Sequence, residues 1–198
     1  MTDKQGLIGR VTRCSTRGFV GAIRLPKPEI PVFGGYCLAE AQQGGSQVIG
    51  LIYDISIQDD EFARQMAATE TAPAEVLADG QANRQVPVEF SALAVGYRVG
   101  EAFHQHLPPQ PPLTLAPIYR MTPEDVRAFT TSFDFLPLVL STPQIPADHL
   151  LAAALQTASE ARPAAERRPF LIDAGRACAR LMAGDLPQLQ NLLRSLTS

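Results

Sequence analysis

The chain has 198 residues, with 17 basic and 20 acidic side chains, a formal net charge of −3 and 45% hydrophobic residues. That length suffices for one ordinary domain or two small ones, and the hydrophobic share is that of a folded globular protein. A balance so close to neutral excludes a chain-wide electrostatic pull toward nucleic acid or an anionic membrane and leaves only local patches to act.

The opening residues, "MTDKQGLIGRV", lack the apolar core of a signal peptide. No stretch reaches the roughly 18 uninterrupted apolar residues of a membrane span, so the sequence predicts a cytoplasmic protein with no membrane span. Cys14, Cys37 and Cys178 are odd in number and scattered, a pattern that suits neither a disulfide framework nor a CxxC metal site.

The front of the chain, to about Tyr119, reads as strands. Leu7, Gly9 and Val11 alternate with Ile8, Arg10 and Thr12. After "CSTRG", Phe19, Gly21, Ile23 and Leu25 alternate with Val20, Ala22 and Arg24, which predicts two strands joined by a short turn. The three prolines of "LPKPEIPVFGG" lack the N–H a ladder needs, so this segment is expected to cross an end of the sheet. "YCLAEA" reads as a strand and "QQGGS" as a turn into "QVIGLIYDIS". There Ile49, Leu51, Tyr53 and Ile55 share one face while Val48 and Ile52 load the other, the pattern of a central or covered strand.

The segment from Gln58 to Gln85 is rich in Ala, Gln and charge and reads as a mobile insertion. "VPVEFSALAVGYRV" resumes the strands, with Val88 and Phe90 on even positions and Leu93, Val95, Tyr97 and Val99 on odd ones. That change of phase predicts a β-bulge near Ser91. "HLPPQPP" is expected to be extended, and "LTLAPIY" to be a last strand.

From residue 121 the texture is helical. Thr122 before Pro123, Glu124 and Asp125 makes an N-cap, a proline at the first helical position and an acidic first turn. Further on, Leu150, Leu151, Ala154, Leu155 and Ala158 trace a helical stripe, as do Leu171, Gly175, Cys178 and Met182, and then Leu189, Leu192, Leu193 and Leu196. The fold class expected is α+β: a small closed antiparallel β-barrel over residues 1–120, then a helical region over 121–198.

The strands "GLIGRVTRCSTRGFVGAIRL", the segment ending "VFGGYCLAEA", "SQVIGLIYDIS" and "VPVEFSALAVGY" together resemble a HAS barrel, the small β-barrel named for the HerA-type DNA translocases and the ATP synthase catalytic subunits. The resemblance covers roughly the first 120 residues. In those relatives the barrel leads into a nucleotide-binding domain with a Gly-x-x-x-x-Gly-Lys-Ser/Thr loop, and nothing from residue 120 onward supplies one. The resemblance therefore implies no ATP hydrolysis, only the barrel's part in forming a ring or docking a partner onto one. Gly50 reads as a residue of barrel geometry, because no helix start with Lys and Ser or Thr follows it.

The remaining chemical signals are thin. His104 and His106 lack a third ligand at metal spacing, and Asp59, Asp60 and Glu61 read as a solvated turn. Ser141, Asp148 and His149 carry triad letters without the Gly-x-Ser-x-Gly elbow. The sequence thus predicts no catalytic residue, no cofactor and no metal. The expected function is a non-catalytic assembly or docking module acting through protein–protein contacts, with a ring ATPase or with its own copies. Leu189, Leu192, Leu193 and Leu196 are its candidate interaction residues. The alternative is a nucleic-acid-binding barrel. Its support is a basic front in which Lys4, Arg10, Arg13, Arg17, Arg24 and Lys27 face only Asp3, and its candidate residues are Arg10, Arg13, Arg17 and Arg24. A third possibility is an enzyme with a dispersed site.

Overall fold

The computed structural model describes residues 6–24, 30–57, 87–143 and 145–197. Strands β1 (Leu7–Ser15) and β2 (Gly18–Arg24) form the hairpin that the alternation predicts. β3 (Tyr36–Glu40) and β4 (Gln47–Ile57) form a second, whose turn is held by the Gly44 N–H donating to the Ala41 carbonyl at 3.0 Å. β5 (Pro87–Val99) turns into the short β6 (Ala102–His104), and β7 (Pro117–Arg120) follows after an irregular stretch. The proline-rich segment is described only from residue 30, and residues 30–35 form no strand. The expected insertion at 58–85, with Asp59, Asp60 and Glu61, lies outside the described residues, as do Asp3, Lys4 and Lys27.

The strands run in the order β2-β1-β7-β3-β4-β5, every pairing antiparallel, and β2 pairs with β5 from Gly18↔Leu93 to Arg24↔Pro87. The sheet therefore closes into a six-stranded barrel, with β6 attached to the far end of β5. Closure leaves these six strands without the free edges that invite pairing with other chains.

The barrel interior is filled by Ile8, Val11, Phe19, Val48, Ile52 and Phe90 with smaller neighbours. Ile8 and Val11 both point inward although they are three residues apart. The simple alternation expected for β1 is broken by register shifts between Leu7 and Gly9 and between Val11 and Arg13.

Gly50 lies on the inward face of β4. A Cβ there would sit 2.6 Å from Phe19 Cζ and 2.9 Å from Cys37 Sγ, so the missing side chain makes room for the Phe19 ring inside a closed barrel. The role is structural, as the sequence predicts. The close neighbours are side chains inside the barrel.

β5 corrects one expectation. Phe90, Ala92 and Ala94 all face the interior, so the even phase continues past Ser91. Leu93 and Val95 are apolar because the helices cover the outer face of β5 from that point on. The extra residue opposite Ser91 belongs to the partner strand β4, between Ile52 and Asp54, and β5's own irregularity comes later, between Ala94 and Gly96. A change of hydrophobic phase here marks a change from one covered face to two.

Helix α1 (Pro123–Phe129) begins as its sequence predicts, with Thr122 Oγ1 accepting from the Asp125 N–H at 3.1 Å. α2 (Leu136–Leu140), α3 (Ala147–Glu160), α4 (Ala164–Leu181) and α5 (Leu186–Thr197) complete the cap. α3 is its axis, for Leu150, Leu151, Ala154, Leu155 and Ala158 are all fully buried. Each such leucine contributes about 1.5–3 kcal/mol of burial.

The cap shares one core with the outer face of the barrel, separate from the cluster that fills the barrel interior. Tyr36, on the outer face of β3, meets Phe129 edge-on at 6.0 Å and Phe135 at 6.3 Å. Burial pushes the Tyr36 hydroxyl pKa up, against the pull of the Arg162 charge. Arg162 itself donates to the Ala158 carbonyl at 2.6 Å and to Thr130 at 2.9 Å, and lies 3.7 Å over the Phe170 ring, clamping α1, α3 and α4 together. Arg98 on β5 donates to Gln47 Oε1 at 3.0 Å and pairs with Asp125 at 3.0 Å, fixing α1 to the barrel end.

Candidate functional site

Two grooves among the described residues bear on the predicted site residues, one within the helical cap and one where the cap meets the barrel. The first lies among α3, α4 and α5 and has a volume of about 1050 Å3. Leu171, Ile172, Gly175, Ala179, Leu193 and Leu196 give it an apolar floor, and Arg167, Arg168 and Arg176 stand along it with Glu160 as the lone carboxylate in its lining. Gly175 lets α4 and α5 approach, since a Cβ there would lie 3.3 Å from Leu193 Cδ2. Ile172 is 46% exposed and Leu193 37%, large apolar side chains left in water along one trough.

This geometry divides the four leucines predicted as an interaction surface. Leu189, Leu192 and Leu196 are buried in the chain's own core, and Leu193 alone stays exposed. Their cover is chiefly α3, with Gln156 Nε2 donating to the Ser195 carbonyl at 2.7 Å, and to a lesser degree the preceding helix α4. An amphipathic stripe states that it needs cover without naming which helix supplies it. The sequence reading missed Ile172, which falls outside the regular stripe of α4.

The second groove, about 690 Å3, runs between the β1–β2 turn, the outer wall formed by β4 and β5, and the α2–α3 link at Thr142, Pro143 and Ile145. Arg13 and Arg17 line it together with Tyr53. The other two predicted arginines lie elsewhere. Arg10 donates to the Leu115 carbonyl at 3.1 Å, and Arg24 ends β2 at the opposite end from Arg17, about 20 Å away along an extended strand. Phe19 is buried, as its predicted core position requires. Tyr53, half-buried on β4 and separated from β2 by β5, is an aromatic that the sequence reading did not connect with these arginines, because nothing local links residue 53 to residue 17.

His104 stacks on Tyr97 with ring centroids 4.7 Å apart, and His106 meets the same ring edge-on at 5.1 Å. Among the described residues no group of three His, Cys, Asp or Glu side chains is placed to hold a metal. Ser141 Oγ donates to the Leu138 carbonyl at 3.3 Å, a helix-end contact. No described helix is long and apolar enough to cross a membrane.

Burial raises the pKa of the Cys37 thiol and pushes that of Cys178 up to about 11, whereas Cys14 is half-buried on the wall of the second groove. Thiolate is the reactive form. Ellman's reagent at about pH 8 is therefore expected to titrate the Cys14 thiol alone in the native chain and all three thiols after unfolding. Rapid reaction of three thiols in the folded protein would contradict the burial of Cys37 and Cys178.

No protein-family model matches the chain, and no characterised protein matches it at a significant level.

Proposed function

We propose that the chain is a non-catalytic docking module: a HAS-like barrel stiffening a helical cap whose α3–α4–α5 groove receives an amphipathic helix of a partner protein. The observation that carries this reading is the exposure of Ile172 and Leu193 in one apolar trough whose lining holds three arginines and a single glutamate. A helix laid in such a groove anchors through apolar side chains at i, i+3, i+4 and i+7. Arg168 and Arg176 select acidic residues on its flanks, Arg167 being held on the Arg162 and Glu160 carbonyls. Arg168 has no carboxylate within pairing distance among the described residues, and Arg176 is held only in an exposed pair with Asp173 at 3.2 Å, an interaction of small energy that a partner carboxylate readily replaces. The resemblance to a ring-forming barrel makes a ring ATPase the favoured kind of partner.

The test uses a fluorescent synthetic peptide of about five helical turns, with leucine at every third or fourth position and glutamate between, and a counterpart with lysine in place of glutamate. The glutamate peptide is expected to bind about tenfold tighter or better, and Ile172→Asp combined with Leu193→Asp to weaken it at least as much with the melting temperature little changed. Equal binding of both peptides, indifference to the double variant, or a dimer of the native chain that this variant dissociates would overturn the reading.

A further inference from the structure

The second groove carries a different chemistry from the first. Its lining holds two guanidinium groups, from Arg13 and Arg17, and no carboxylate, in a chain whose net charge is −3. Neither guanidinium pairs with an Asp or Glu among the described residues. Ser15 Oγ donates to the Gly18 carbonyl at 3.4 Å and Thr142 Oγ1 to the Leu138 carbonyl at 2.8 Å, and the other hydroxyls of the lining, on Ser91 and Tyr53, are neutral. The two arginines are therefore the groove's charged donors, and their planar forks suit phosphate oxygens.

The rest of the lining favours a ligand that also has flat apolar faces. Tyr53 presents a half-buried ring, and Val20, Leu93 and Ile145 complete an apolar wall. A purely acidic chain such as polyglutamate would satisfy the arginines and leave that surface unused. The groove is open to solvent between barrel wall and helical cap. We propose that this groove binds single-stranded nucleic acid, with Arg13 and Arg17 holding consecutive backbone phosphates and a base stacking on Tyr53. Only two of the chain's front arginines take part. Arg10 and Arg24 lie outside the groove.

The test is fluorescence anisotropy of a labelled oligothymidylate titrated with the full chain at several salt concentrations. Two phosphate contacts predict a salt slope of about −1.4 in log K against log salt, from about 0.7 per phosphate on a single strand. Arg13→Glu with Arg17→Glu is expected to lose at least about tenfold in affinity at low salt and to flatten the slope, while Arg10→Glu with Arg24→Glu changes affinity less than about threefold. Tyr53→Leu, which keeps the packing and removes the ring, should lose about tenfold, and Tyr53→Phe should restore binding. Circular dichroism confirms that each variant is folded. No binding by the wild-type chain at about 50 mM salt, equal loss from both arginine pairs, or full competition by polyglutamate would overturn the assignment.

Discussion

Leu192→Asp is expected to unfold the helical cap. Leu192 is fully buried between α5 and α3, and truncating such a leucine costs about 2–5 kcal/mol even before a charge is introduced. An unpaired carboxylate in that position adds several kcal/mol more, or must take up a proton. Since a domain is stable by only about 5–15 kcal/mol in total, the helical circular dichroism should fall sharply at room temperature. Leu193→Asp, one residue along and 37% exposed, is expected to cost about 1 kcal/mol or less. Thermal melts of the two variants check this directly. Similar melting temperatures would show that α5 does not pack as described.

The second large effect belongs to Gly50. Gly50→Ala places a Cβ where Phe19 Cζ lies 2.6 Å away, inside a closed barrel whose Phe19 is itself buried. Overpacking of this kind costs about 1–3 kcal/mol, and Gly50→Val should reach the top of that range or exceed it. Because the penalty arises from one neighbour, Phe19→Leu in the same chain is expected to relieve part of it. The two substitutions should then destabilise less together than the sum of their separate effects. Urea titrations of the four members of the cycle give the coupling. Strict additivity would mean that Phe19 is not what Gly50 accommodates.

Gly50 and Thr122 show which parts of the molecule were legible from the sequence. Gly50 stood out because it interrupts a run apolar on both faces, and Thr122 because a capping residue, a proline and two acids follow in order. Such signals are local. Barrel closure joins Gly18 to Leu93, and β7 inserts between β1 and β3, pairings between distant residues that leave no trace in neighbouring ones. The phase change in β5 was visible and its cause was not, because cover supplied by helices more than thirty residues downstream imitates a bulge.

The candidate sites divide in the same way. The stripe of Leu189, Leu192, Leu193 and Leu196 correctly announced an apolar face in need of cover, yet only packing against α3 reveals that Leu193 is the one left in water. The basic front was evident, but strand geometry separates Arg24 from Arg17 by the length of β2 and brings Tyr53 from another hairpin into the groove of Arg13 and Arg17. Charge counting along a sequence averages over faces that the fold pulls apart.

The central claim is that the α3–α4–α5 groove is a docking site for an acidic amphipathic helix. Its most direct test is site-specific photo-cross-linking in the native cell, with a photoreactive residue at position 172 or 193 and a control at exposed position 24, followed by sequencing of the cross-linked peptide. The account predicts that positions 172 and 193 cross-link to one and the same partner segment, a helix with apolar residues at i, i+3, i+4 and i+7 and Asp or Glu beside them, and that position 24 does not. Cross-linking of 172 and 193 to a basic or non-helical segment, to many unrelated proteins, or to nothing would contradict it.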